Sequence, residues 1–185
     1  LGQVMMHQNQ HEQAIPSLVI AAEQNPAMHL LLAQCYREIG ASSQAAQHLE
    51  QAEKHYLQLT SQADCQINDF AKLAEIFVQQ SQFLKAEQLL TAEVATRQRI
   101  NDHQSALALS SVLANVCMQE SRRIRLKTDG SDPNAFVRSL LLLGKALTHD
   151  VKNESAIREL LVLSDPDAEF GIQAEQVLSD PGTSG

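Results

Sequence analysis

The sequence predicts an all-α fold in which antiparallel helix pairs follow one another as a repeat array. Small and apolar residues recur at the spacing of an α-helix, and no useful length alternates with the period of two that a half-buried strand requires. Only seven glycines and five prolines occur in 185 residues, which suits long helices joined by short turns. One spaced set of residues also occurs three times, and such self-similarity is typical of helical repeats that bury their faces against their neighbours.

The repeated set is clearest in the second of the three stretches. There Leu32 and Ala33 precede Tyr36 and Gly40 in a first helix, and Ala45 opens a second helix that continues to Leu49 and Ala52. The matching residues are Leu1, Gly2, Met5, Ala14, Leu18, Ala21 and Pro26 in the first stretch, and Leu73, Ala74, Phe77, Ala86 and Leu90 in the third. Because small residues let helix backbones approach closely, we expect Ala33, Ala45 and Ala52 to lie at helix crossings, and Ala14 and Ala86 to be turned away from water like Ala45.

Turn residues divide the first part of the chain into helices. Asn25-Pro26 ends one helix, because the residue before a proline is pushed out of the α region, and Pro26 then suits the first turn of the next. Gly40 is expected as a left-handed cap, and Ser42 or Ser43 as the N-cap of the helix that follows. The predicted helices are 1–8, 12–24, 26–39 and about 42–59.

The second part is divided in the same way. Ser81-Gln82 and Asn101-Asp102 are predicted turns, and Asp132-Pro133 and Asp165-Pro166 each supply an N-cap and a first helical residue. Residues 121–132 are predicted to be a loop. The predicted helices are 64–80, 83–100, 103–120, 134–149, 153–163 and 167–178.

Composition argues against several classes of protein. A net charge of -8 and a pI near 5.3 do not suit general nucleic-acid binding, which needs a basic face. No run of apolar residues approaches the length of a membrane span. Three isolated cysteines fit buried thiols in a reducing compartment, so we expect a cytoplasmic protein. Since Leu1-Gly2 matches the middle of a repeat's first helix, we expect the chain to be a piece of a longer protein.

The repeated pattern resembles the tetratricopeptide repeat, whose signature is Leu-Gly-x-x-Tyr in the first helix and Ala-x-x-x-aromatic in the second. This chain departs from the signature at Ala33, where glycine is usual, and at Leu49, where an aromatic residue is usual. The resemblance covers most of residues 1–150 and implies a right-handed α-solenoid of antiparallel helix pairs. It implies one domain over 1–180, with repeats at about 1–25, 26–60, 64–100 and 103–149, a degenerate or capping pair at 153–178 and a disordered tail at 181–185.

The resemblance also implies a function. In that family the first helices line a concave groove that holds partner peptides, so the chain is expected to be a protein–protein interaction module, an adaptor or scaffold segment that binds a partner peptide or helix. On the helix 26–39, Leu32, Tyr36 and Ile39 are expected to form the buried stripe. The expected groove residues are Leu30, Gln34, Arg37, Glu38, Asn68, Lys72, Glu75, Gln79, Ser111, Asn115, Met118 and Gln119.

Four cations, Arg122, Arg123, Arg125 and Lys127, form the most prominent charge cluster. They are either a solvated loop near a helix end, where cations suit the exposed carbonyl groups, or a docking patch for an acidic segment of a partner. Four residues are too few to indicate nucleic-acid binding in a chain this acidic.

No residue pattern indicates catalysis or a cofactor. His7 and His11 stand four apart, but a polar turn separates them and no third ligand joins them, so no metal site is predicted. His48 and His55 are expected to be solvated. The chain has no Cys-x-x-Cys, no Gly-x-Ser-x-Gly and no phosphate-binding glycine loop, so it is not expected to be an enzyme.

Two alternatives remain beside the adaptor. The second interpretation is a ligand- or peptide-sensing regulatory domain, in which closure of the superhelix controls an attached output domain. The third reading is self-association into a homo-oligomer through apolar surface at the end of the array, around Val4 and Met5.

Overall fold

The computed structural model describes residues 10–62, 64–128 and 132–163, which form helices joined by turns. These residues contain no strand, so the all-α prediction is confirmed. The helices are α1 (His11–Gln24), α2 (Met28–Glu38), α3 (Ser42–Thr60), α4 (Ile67–Gln79), α5 (Phe83–Arg99), α6 (His103–Thr128), α7 (Pro133–His149) and α8 (Glu154–Leu163). The helices predicted at 1–8 and 167–178 and the tail at 181–185 lie outside the described residues.

The helices fall into two compact units, α1 to α4 and α5 to α8. Within each unit, the helices pack mainly on their neighbours along the chain. In the first unit α1 packs on α2, α2 on α3 and α3 on α4, and in the second α5 packs on α6, α6 on α7 and α7 on α8. Short connections favour antiparallel neighbours in such arrangements. The single domain over 1–180 and its repeat boundaries stay predictions.

Small residues lie where neighbouring helices meet. Ala14 of α1 and Ala86 of α5 have no exposed surface, and Ala45 of α3 is only 6% exposed. The prediction that these alanines are buried is therefore confirmed. The core of the first unit includes Ala14, Leu18, Ala22, Leu32 and Cys35, and that of the second includes Ala114, Cys117, Met118, Phe136, Leu143, Ala146, Ala156 and Leu163.

Three turns that follow helices have the same backbone conformation. Gly40, Ser81 and Asn101 each have a positive φ, of 78°, 61° and 60°. In each turn the next residue's N–H donates to a carbonyl five residues earlier, which is the bond of a Schellman motif. These N···O distances are 2.8 Å from Ala41 to Tyr36, 2.7 Å from Gln82 to Phe77 and 2.9 Å from Asp102 to Arg97. The predicted left-handed cap at Gly40 is confirmed.

Helix starts were predicted less well. α2 begins at Met28, because Pro26 and Ala27 form a turn in which Asn25 Oδ1 accepts from the Ala27 N–H at 3.1 Å. α3 has Ala41 at its N-cap and no side-chain cap, so the predicted serine cap was wrong. α7 begins as predicted, with the Asp132 side chain accepting from the backbone N–H of Asn134 at 2.9 Å.

Candidate functional site

The predicted groove face of α2 is only partly exposed. Arg37 and Glu38 are exposed and lie 3.8 Å apart as an ion pair, whereas Gln34 is half-buried. Leu30 was expected on this face but is buried, and Ile39 was expected in the buried stripe but is exposed. The reason is that α2 contacts both α1 and α3, so its buried surface is wider than the single stripe that one contact would produce.

The predicted face of α4 forms a line of bonded polar side chains. Lys72 Nζ donates to Glu75 Oε2 at 2.9 Å, and Gln79 Nε2 donates to Glu75 Oε1 at 3.3 Å. These three side chains are half-buried, while Asn68 is exposed at the start of the helix. The line therefore presents a mixed polar surface in the same unit as the face of α2.

The predicted face of α6 belongs to the second unit. Asn115 and Gln119 are exposed as expected, and the Ser111 hydroxyl donates to Asp150 Oδ2 at 3.0 Å. Met118 was expected to be exposed but is buried. The cause is again a helix with two neighbours, since α6 packs against both α5 and α7.

The basic cluster lies on a helix and not in a loop. α6 continues to Thr128, so the loop predicted from residue 121 was wrong for Arg122, Arg123, Arg125 and Lys127. Cations in the last turn suit the partial negative charge of a helix C-terminus, and this favours continuation of the helix.

Most of this cluster is engaged within the second unit. The guanidinium groups of Arg122 and Arg125 both pair with the carboxylate of Glu159 on α8. Arg123 places its guanidinium carbon 4.8 Å from the centre of the Phe83 ring and pairs with Glu120 at 4.0 Å. Glu159 already pairs with two of the arginines. The cluster therefore links α6 to α8 through ion pairs and is less available as a docking patch.

A ring cluster of His29, Tyr36 and His48 joins α2 to α3. His48 was expected to be solvated, but it is half-buried between two rings of α2. The Tyr36 ring stacks on it at 5.2 Å between centroids with 10° between the planes. On the other side, His29 Nδ1 lies 3.0 Å from His48 Nδ1.

The contact between the two histidines is an edge-to-edge hydrogen bond. Their centroids are 5.1 Å apart, close to the 3.0 Å contact plus the two ring radii, and the planes differ by 22°. Such an N–H···N bond needs a lone pair on one ring, so at least one imidazole must be neutral. Sequence reasoning missed the cluster, although His29 and Tyr36 stand seven apart on one helix face.

Burial lowers the pKa of both histidines. For His29 the second cause of the lowered pKa is the nearby His55, and for His48 it is His29. An imidazole ordinarily titrates near pH 6.5, so a lowered pKa favours the neutral form of both rings at neutral pH. In the neutral pair, one Nδ1–H can donate to the lone pair on the other Nδ1.

A cleft opens beside the ring cluster, where α1, α2 and α3 meet. It is open to solvent, has a volume of about 230 Å³ and is lined by Val19, Ala22, Glu23, His29, Leu32 and His48. The walls are therefore apolar apart from one carboxylate and the two imidazoles. We call it the histidine cleft.

Two of the three cysteines are buried as expected, whereas Cys65 is partly exposed. Cys35 and Cys117 are buried free thiols, and burial raises the pKa of Cys117 to about 11. A thiol with such a pKa stays protonated at neutral pH and is a poor nucleophile. Both residues therefore act as small apolar side chains of the cores.

Within residues 10–62, 64–128 and 132–163, no group of three or more His, Cys, Asp or Glu side chains is arranged to hold a metal ion. In the same part of the chain, every helix is too short or too polar to cross a membrane. No family model, curated protein or solved structure matches this chain.

Proposed function

We propose that this chain is a protein–protein interaction module, built as a right-handed α-solenoid of tetratricopeptide-like helix pairs, and that it works as an adaptor or scaffold segment of a larger protein. The observation that carries the proposal is that, within each unit, consecutive helices pack on one another. Arrays of this kind leave one face of successive helices open, and such faces serve as extended binding surfaces.

The binding surface in this proposal includes the open faces of α2 and α4. The first presents Gln34, Arg37 and Glu38, and the second presents Asn68 beside the bonded line from Lys72 to Gln79. Amide and charged side chains of this kind can pair with the backbone and side chains of an extended peptide, which supports a peptide segment as the partner. In the second unit, considered by itself, α6 likewise exposes two amide side chains, Asn115 and Gln119.

The test is affinity capture with quantitative mass spectrometry on three immobilised forms of the chain. The first is the wild type, the second carries Arg37→Glu with Lys72→Glu, and the third carries Lys54→Glu. Lys54 is an exposed lysine of α3 that pairs with Glu50 at 2.8 Å and lies outside the proposed surface, so it controls for charge reversal alone.

We expect a set of proteins that the wild type and Lys54→Glu retain and the double variant loses, with circular dichroism unchanged. Retention of the same proteins by all three forms would remove these helix faces from the proposal. A chain that retains no protein specifically would argue against the interaction function itself.

A further inference from the structure

The histidine cleft has the properties of a binding site for one side chain. We infer that it receives a lysine or arginine side chain of a basic segment in the partner. The inference rests on the proposed function and names the chemistry of the partner. Its support comes from the shape of the cleft, from the charge around it and from the neutral imidazole pair.

The walls of the cleft fit the stem of a long cationic side chain. Val19, which is 40% exposed, provides apolar surface beside the buried Ala22 and Leu32, and the cleft volume of about 230 Å³ exceeds what a few methylene groups occupy. Lysine and arginine bury their methylene stems on such surface and keep the charged group at a polar rim. Here the rim carries the carboxylate of Glu23.

Charge around the cleft favours a cation. Glu23 is exposed and makes no ion pair with any residue that the structure describes. Residues 1–36 contain no lysine or arginine, and the first residue of either type, Arg37, already pairs with Glu38. In a chain of net charge -8, a basic partner is favoured electrostatically, and this stretch has no lysine or arginine of its own to pair with Glu23.

The histidine pair makes the site sensitive to pH. The groups that face it are Glu23 from α1, Tyr36 from α2 and His55 from α3. While the pair is neutral, it does not repel a cation in the cleft. When both rings take up protons, the His29–His48 hydrogen bond is lost and two positive charges line the cleft, so the cation is expelled.

The probe is the peptide acetyl-Ala-Ala-Lys-Ala-Ala-amide, titrated into the full chain and followed by NMR of the Val19 methyl groups and the His29 and His48 rings. A matched peptide with norleucine in place of lysine keeps the stem and removes the charge. We expect saturable shifts at about pH 7.5, with the norleucine peptide bound about threefold more weakly, as for loss of one exposed ion pair.

Glu23→Gln should weaken binding of the lysine peptide by a similar factor, about threefold, while Glu12→Gln, an exposed acid of the same helix, should not. Lowering the pH from about 7.5 to about 5 should also weaken binding in the wild type. Equal binding of the two peptides, or unchanged binding by Glu23→Gln, would overturn the cationic site. Equal affinity at the two pH values would overturn the role of the histidine pair.

The same variant separates this inference from the proposed function. If Glu23→Gln retains the captured partners as the wild type does, the inference is wrong and the interaction function stands. If the wild type retains no partner, the proposed function is wrong, whatever the peptide does.

Discussion

The hydroxyl oxygens of Ser121 on α6 and Ser139 on α7 lie 2.6 Å apart, and neither side chain has any exposed surface. Each hydroxyl also approaches the carbonyl oxygen of the other residue, at 3.2 Å from Ser121 and 3.4 Å from Ser139. A buried hydroxyl without a partner is costly, so this reciprocal contact is satisfied in only one register of the two helices. The pair therefore helps to set how α7 lies on α6.

We expect Ser121→Ala and Ser139→Ala each to lower the free energy of unfolding by about 1 kcal/mol, because each leaves a buried partner less well bonded. The double variant should cost less than the sum of the two, since it leaves no unpaired hydroxyl. Urea unfolding of the four forms makes the measurement. Strict additivity would show that the two hydroxyls do not depend on each other.

Gly40→Ala should destabilise the chain by about 1 kcal/mol, because the left-handed backbone conformation at φ 78° is less favourable for alanine than for glycine. A Cβ at this position would meet no atom within 4 Å, so the backbone alone is responsible. Gly144→Ala is the matched control, since its Cβ also meets nothing but lies inside the helix α7. That change should stabilise by about 1 kcal/mol, and thermal melts in which both changes act in the same direction would contradict the explanation.

Ala45→Leu should cost about 1–3 kcal/mol, because the added carbons must enter the buried side of α3. The neighbouring Ala46 is exposed on the same helix, and Ala46→Leu should change stability by less than about 0.5 kcal/mol. The comparison removes any effect of helix propensity, since both changes place leucine in the same helix. Equal urea midpoints for the two variants would contradict close packing at Ala45.

Stability should fall as the pH drops below about 6.5, the ordinary pKa of an imidazole. The folded pKa values of His29 and His48 are lowered, so near pH 6 the unfolded chain binds more protons than the folded one. Their contribution is complete above the unfolded pKa and is lost as the pH falls towards the folded values. His149 has a lowered pKa for the same reason, burial, and contributes in the same direction.

The pH effect is measured by urea unfolding between about pH 8 and pH 5. His48→Phe keeps a ring beside Tyr36 but removes one titrating group, so its stability should depend less steeply on pH. His103→Gln changes an exposed histidine at the start of α6 and should follow the wild type. Parallel curves for wild type and His48→Phe would exclude a contribution from this residue.

Glu159→Gln should lower stability by about 1 kcal/mol, because it weakens the charge-assisted bonds to Arg122 and Arg125. The value is modest because Arg122 is half exposed, at 52%. Arg158→Gln, at an exposed position of the same helix, is the control and should change little. The loss should shrink in concentrated salt, and a loss that does not depend on salt would indicate a packing role for Glu159 instead.

Local signals predicted most of the helices correctly. Gly40 ends a helix and Asp132-Pro133 begins one through interactions with residues close in sequence. Such effects can be predicted from the local sequence. The end of α6 was missed because a dense group of turn formers after residue 128 suggested a loop that began earlier, although cations in a last turn favour the helix. A helix can either end at a group of turn-forming residues or continue up to them. The local sequence pattern does not show which of these two ends is more stable.

The sequence by itself determined that the described part of the chain is helical and that Ala14, Ala45 and Ala86 are buried, because both follow from spacing along one helix. Only the tertiary structure decided that Leu30 and Met118 are buried, that Glu159 binds two arginines and that His48 lies between His29 and Tyr36. These facts depend on which second helix covers a given face. Packing between residues that are distant in sequence determines which helices are neighbours. The hydrophobic periodicity of a single helix carries no information about that packing.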